Sequence, residues 1–264
     1  MTQFGETVAL RFPGRDDGER VAVVTIERAA KLNILDQAAM VALTDAATSL
    51  HRDEALRAVV LTGAGERAFI GGADIHAMAA LDPGRAEAFI TALHTAIAAI
   101  RAIPVPVIAR INGYCLGAGL EVAAGCDLRL ASDNAVFGMP EVKIGIPSVI
   151  EAALLPRLIG WGRAAQLLLL GENIDAEEAL RIGLVSQVTA EAKLDDAVEA
   201  WIASIVAAGP RAVRAQKALM REWEKLPLDA AIAAGVTAFR HSYGHDEPHR
   251  MMRAFVERKR RSKG

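Results

Sequence analysis

From residue 21 to about residue 131 the chain alternates β-branched runs with stretches of helical periodicity, and that alternation restricts it to an α/β core. Residues 21–27 and 57–62 read as strands, the second closed by Gly63-Ala-Gly65. Between them Asp36 is placed to cap a helix whose Met40, Leu43, Ala47 and Leu50 recur at helical spacing. Asp82-Pro83 opens a helix to about residue 100, because proline suits the first helical turn. Residues 104–111 form a third strand, with Pro104 and Pro106 at its start or on an edge. A short helix over 117–125 and a strand over 127–131 complete the alternation. Beyond Ser148 the pattern becomes helix after helix: 162–170, one opening at Asp175, then 194–208, 210–224, 227–241 and 248–259. The division expected is an α/β core over 1–200 and a helical region over 201–264.

Composition removes several function classes. Thirty basic and 32 acidic residues give a net charge of −2, so no whole-chain attraction to nucleic acid or membrane is expected. No apolar run reaches the roughly 20 residues of a membrane helix, and residues 1–20 are too polar for a signal peptide. Cys115 and Cys126 would lie about 15 Å apart across a helical segment, too far for a disulfide, so reduced thiols in a cytoplasmic protein are expected. A chain that is 52% hydrophobic, rich in alanine, is expected to bury part of that surface between subunits.

The chemistry concentrates between Asn112 and Glu141. Glu121 and Glu141 stand in an apolar stretch, where desolvation raises carboxyl pKa values and suits them to proton transfer near neutral pH. A helix starting at Gly117-Ala118-Gly119 presents unpaired N–H groups, backed by the positive end of its dipole. The N–H of Ala118 is placed to donate to a developing oxyanion, and Gly71-Gly72-Ala73 offers a second such donor. Two donors and two acids are sufficient for enolate formation. Each feature also has an ordinary explanation: an acid in a first helical turn favours the dipole, and glycine turns commonly follow strands. Gly117-x-Gly119 is not a dinucleotide loop, since Val122 replaces the third glycine. There is no Gly-x-Ser-x-Gly elbow, His-Glu-x-x-His pair or phosphate-loop Gly-Lys-Ser/Thr, and His241, His245 and His249 read as solvated surface rather than metal ligands.

These residues resemble the crotonase superfamily, the enoyl-CoA hydratase/isomerase family. The resemblance runs from residue 21 through Leu32-Asn33 and Val59-Val-Leu-Thr-Gly63 to Ala254-Phe-Val-Glu-Arg-Lys259. It is strongest at Ala68-Phe-Ile-Gly-Gly-Ala-Asp-Ile75, Asn112-Gly-Tyr-Cys-Leu-Gly-Ala-Gly-Leu-Glu121 and Phe137-Gly-Met-Pro-Glu141. It implies a spiral of strand–strand–helix units with a C-terminal helical trimerisation region, assembled as a homotrimer or a dimer of trimers. It implies that the amides of Ala73 and Ala118 hold the thioester oxygen of an acyl-CoA substrate. Gly71, Gly72, Asp74, Ile75 and His76 would line the pantetheine arm, with Gly117 beside them. Glu141 would act at the α-carbon and Glu121 on the attacking water. Phe255 and Lys259 would help cover the nucleotide, within a basic cluster of Arg253, Arg258, Lys259, Arg260, Arg261 and Lys263. No metal or permanently bound cofactor is implied; coenzyme A enters as part of the substrate.

One segment departs from the family. Its hydratases carry a Gly-rich run after the second glutamate, where this chain has Pro147-Ser-Val-Ile-Glu-Ala-Ala153. Val149 and Ile150 would narrow or reshape the acyl pocket, and the water contact falls near Ser148; Glu151 would bind a cationic or hydroxylated acyl group if it faced the site, but the reading preferred is that it faces outward and caps a helix. The resulting expectation is a hydro-lyase acting on 2-enoyl-CoA. Alternatives are a Δ3/Δ2-enoyl-CoA isomerase, a thioester hydrolase and a non-catalytic acyl-CoA-binding scaffold. The scaffold is disfavoured because burying two acids without use is costly.

Overall fold

The computed structural model describes residues 1–261, so Lys263 lies outside the described residues. In chain order it contains β1 (Thr2–Phe4), β2 (Val8–Arg11), β3 (Arg20–Ile26), α1 (Gln37–Ser49), β4 (Leu56–Gly63), β5 (Ala68–Ile70), α2 (Ile75–Met78) and α3 (Pro83–Ala102). β6 (Val107–Ile111), β7 (Tyr114–Leu116), α4 (Ala118–Gly125), β8 (Leu128–Ser132), β9 (Val136–Gly138) and α5 (Leu155–Leu170) follow. The chain then runs through β10 (Asn173–Asp175), α6 (Ala176–Arg181), β11 (Gln187–Thr189), α7 (Leu194–Ala207), α8 (Pro210–Trp223), α9 (Leu228–Ser242) and α10 (Glu247–Arg261).

Among the described residues the strands form two sheets. The larger has the order β1-β2-β3-β4-β6-β8-β11, antiparallel at β1-β2-β3 and parallel from β3 onward. Its parallel strands are apolar on both faces, as burial on both sides requires. Val21, Val23, Ala58, Val60, Ile108 and Leu130 face Leu194, Val198 and Ile202 of α7. Their alternate neighbours Ala22, Val24, Val59, Leu61, Val107 and Ala109 join the main core with Met40, Leu43, Leu93 and Ile97 from α1 and α3. The period of two thus separates two cores across one sheet. The smaller sheet, β10-β9-β7-β5, is parallel except at its β10 edge.

The expected caps form. Asp36, Asp82 and Asp175 each accept a hydrogen bond from a first-turn amide, those of Ala39, Arg85 and Glu178. Pro104 and Pro106 precede β6 instead of interrupting it, sparing the ladder two missing donors. The region after Ser148 is not purely helical, however. β10 and β11 return to the two sheets, and α5 starts at Leu155, with a break at Gly160 where φ is 75°. Three-residue strands are too short to show a two-residue period among helices.

The C-terminal helices attach through charge. Arg214, Lys217 and Arg221 share one face of α8. Arg214 donates to the carbonyls of Asp53, Glu54 and Leu56, while Lys217 donates to Val105 O (2.8 Å) and Asp127 Oδ2 (2.6 Å). Arg221 takes the other Asp127 oxygen at 3.0 Å. Stranding one partner of a buried pair costs about 3–5 kcal/mol, so α8 is bound firmly to the core. α9 contributes no buried residue, and its Leu228, Ile232, Val236 and Phe239 form an exposed stripe at helical spacing.

Candidate active site

Three neighbouring parallel strands deliver the site. β5 pairs with β7, and β7 with β9, in registers that place Ile70 opposite Cys115 and Leu116 opposite Gly138. Parallel strands release their following loops at one edge, the usual place for ligands in α/β sheets. β5 therefore releases Gly71-Gly72-Ala73, β7 releases Gly117 and the start of α4, and β9 releases the 3₁₀ turn Pro140–Ile144 carrying Glu141. Gly117 N donates to Gly138 O at 2.9 Å, and Gly72 lies against the Leu116 carbonyl.

The two amides are positioned by different means. Leu35 forms a parallel bridge at Ala73: its N–H donates to Gly72 O and its carbonyl accepts from Asp74 N, both at 2.9 Å. Bridging on that side turns the N–H of Ala73 to the other. Ala118 is the first residue of α4, where N–H groups have no intrahelical acceptor. Among the described residues no acceptor takes the N–H of Ala73 or Ala118. Gly117 makes the tight entry, at φ 51° and ψ −119°, which side-chain-bearing residues rarely adopt. A Cβ at Gly119 would strike the Ile70 carbonyl, so its absence lets α4 pack directly on β5.

The two acids meet this edge. Glu121 is 4% exposed, one turn into α4, and its Oε1 accepts from Ala152 N at 3.2 Å, an N–H shared with Val149 O. Burial pushes its carboxyl up to about 8; the Ala152 hydrogen bond opposes this, and the like charges of Glu141 and Glu151 add to it. Glu121 therefore holds a proton to higher pH than an ordinary glutamate does. Glu141 is half-buried. Its Oε2 accepts from Ser148 Oγ at 2.8 Å, and its other oxygen occupies the place a Cβ on Gly117 would take. The acids thus share one site with the N-terminus of α4.

Glu151 corrects the sequence reading. It does not face outward or cap a helix: it is 7% exposed, and its Oε1 lies 2.8 Å from His94 Nδ1 on α3. Glu151 also stands in an apolar run, Val149-Ile-Glu-Ala-Ala153, a pattern that marks burial but not the partner it meets. His94 carried no signal in the sequence. Ile150 packs partly buried against the main core, whereas Val149 is exposed.

The remaining candidates divide. Gly71 and Gly72 lie on the site edge, while Asp74 caps α2 by accepting from His76 N and Ala77 N. Ile75 and His76 are exposed beside it. Phe255 and Lys259 sit on α10, whose Glu247 accepts from Arg211 N and Ala212 N of α8. Among the described residues no cluster of three metal-ligating side chains occurs.

A family model described as enoyl-CoA hydratase/isomerase matches residues 16–263. The chain belongs to that family. It is 36% identical over 242 residues to the short-chain-enoyl-CoA hydratase of Clostridium acetobutylicum, covering 91% of this chain and 93% of that protein. It is 37% identical over 243 residues to the crotonyl-CoA hydratase of Syntrophomonas wolfei, covering 92% and 94%. Its structure matches an enoyl-CoA hydratase from Bacillus anthracis with a TM-score of 0.90 at 29% identity, covering 96% of this chain and 97% of that one. The enoyl-CoA hydratase/isomerase family thus accounts for the whole core, and the fold is crotonase-like, as the resemblance implied.

Proposed function

We propose that this family member is a hydro-lyase that adds water reversibly across the α,β double bond of a 2-enoyl-CoA thioester. The observation that carries this is the convergence of two unpaired amides and two acids at one edge of the small sheet. The amides of Ala73 and Ala118 would hold the thioester oxygen, each such donor contributing about 3–4 kcal/mol to the transition state. As water adds to the β-carbon, the π-electrons move to that oxygen as an enolate, and a proton reaches the α-carbon from the acid pair. The proton lost by water returns to the pair, so the cycle closes without solvent. Glu141 lies over Gly117, next to the Ala118 amide, which favours the α-carbon, one bond from the carbonyl. Between them the pair carries one proton: it goes to the α-carbon while the other, ionised carboxylate takes the proton of water, and Glu121, the deeper of the two, would hold that water. Two acids favour hydration over the isomerase reading, which needs only one.

The test is direct. Purified protein with crotonyl-CoA in D₂O is expected to lose the enoyl absorbance and yield 3-hydroxybutyryl-CoA with one deuterium at the α-carbon. Free coenzyme A as product would instead establish hydrolysis, and interconversion of the 3- and 2-enoyl isomers without hydroxylation would establish the isomerase. A panel of enoyl-CoA thioesters then assigns the acyl chain.

The exposed stripe on α9 supports a homo-oligomer, a trimer or a dimer of trimers, with the helical region beyond residue 200 as its interface. Charging that stripe with Phe239→Glu is expected to lower the mass measured by sedimentation; an unchanged mass would place the interface elsewhere. A cytoplasmic setting is consistent with two buried free cysteines and with the absence, among the described residues, of any helix long and apolar enough to cross a membrane.

A further inference from the structure

The segment 148–152 touches both acids. Its first residue gives Ser148 Oγ to Glu141, and its last gives Ala152 N to Glu121. Between them Ile150 holds φ 39°, a left-handed value rare for a β-branched residue. Glu151 follows, 7% exposed, with Oε2 buried and, among the described residues, without a hydrogen-bond partner. A strained residue beside an unsatisfied buried oxygen persists only where the surroundings over-determine the backbone. Ile150 packs against the main core, and Glu151 has a side-chain partner, His94 on α3, whose Nδ1 meets Glu151 Oε1 at 2.8 Å while its side chain remains 54% exposed.

We propose that Glu151 and His94 are positioning residues: by pinning segment 148–152 to α3 they fix where Glu121 and Glu141 stand relative to each other. This rests on reading those two glutamates as the acid pair. The pin acts between two hydrogen bonds, one residue from that of Ala152, so a shift of the segment moves both acids at once. A displacement of about 1 Å in such a constellation costs on the order of a hundredfold in rate. Charge is the second route. The charges acting on Glu121 are Glu141, from the turn after β9, and Glu151, which His94 pairs from α3.

The experiment uses the full chain with His94→Ala, Glu151→Ala, Glu151→Gln and the double alanine variant, all checked for folding by melting temperature. Each alanine variant is expected to lower kcat for crotonyl-CoA by about tenfold or more with KM changed by less than about twofold. The double variant is expected to lose no more than the worse single one, since both remove the same pin. Glu151→Gln still accepts from His94, so it recovers most of the kcat lost in Glu151→Ala. Its lost charge moves the pH limb set by Glu121 downward. Losses that multiply in the double variant, or folded alanine variants with parental kcat, would overturn the proposal. Amide hydrogen exchange over residues 146–154 supplies a readout independent of turnover, and both alanine variants should raise it by about tenfold or more. If the parent hydrates no enoyl-CoA, the acid-pair reading falls on its own. Unchanged exchange would sink the pin whatever the activity.

Discussion

Glu121→Gln is expected to lose hydration by roughly two to three orders of magnitude, while becoming more heat-stable than the parent above pH 8. The activity arm follows from removing a proton-transfer group without changing its volume or its acceptance of the Ala152 N–H. The stability arm follows from linkage. Burial raises the folded-state carboxyl from its ordinary 4.5 to about 8. Between those values the folded chain holds a proton that the unfolded chain has released, so stability falls as pH rises through that window. Above about 8 the folded protein carries the buried charge in full. Glutamine carries none, so the advantage of the variant should grow from little at pH 5 to on the order of 5 kcal/mol at pH 9. Melting temperatures across that range, beside crotonyl-CoA hydration rates, check both arms. Equal melting at pH 9 would mean the Glu121 carboxyl is solvated. Parental activity would remove it from the water.

How much of this is legible in the sequence depends on strand length. β3, β4 and β6 have five to eight residues, enough for a two-residue period to separate the faces that Val21 and Ala22 occupy. β5, β7 and β9 have three residues each, and no period survives in three. Yet those three strands bring Ala73, Ala118 and Glu141 together, by parallel pairings between residues up to 46 positions apart. Glycine marked the places without revealing the sheet: Gly72 and Gly117 were legible as turns because their backbone excludes most other residues. Glu151 was misjudged for a related reason. Its direction is set by His94, 57 positions earlier on another helix, and no local pattern reports that contact. The residues of the site were therefore visible individually, whereas their convergence was a property of the sheet.

The convergence can be probed at one atom. Gly117→Ala is expected to reduce turnover by about a hundredfold or more while the fold survives, whereas Gly119→Ala should damage the fold itself. At Gly117 the new methyl meets the Glu141 carboxyl, the end of a side chain that can rotate away. The strain of a side chain at φ 51° and ψ −119° adds about 1–3 kcal/mol, within the margin of a folded domain. Glu141 would then leave its hydrogen bond from Ser148 and its place beside the Ala118 amide. At Gly119 the methyl meets the backbone of Ile70, and a strand carbonyl cannot rotate aside. α4 would have to lift from β5, so the expected signature is a depressed melting temperature that activity follows. The contrast between neighbouring glycines separates site geometry from packing. If Gly117→Ala melted like the parent and turned over normally, the Glu141 carboxyl would not need the space above Gly117. The alignment of acid and amide along one edge of the small sheet would then have no part in the reaction.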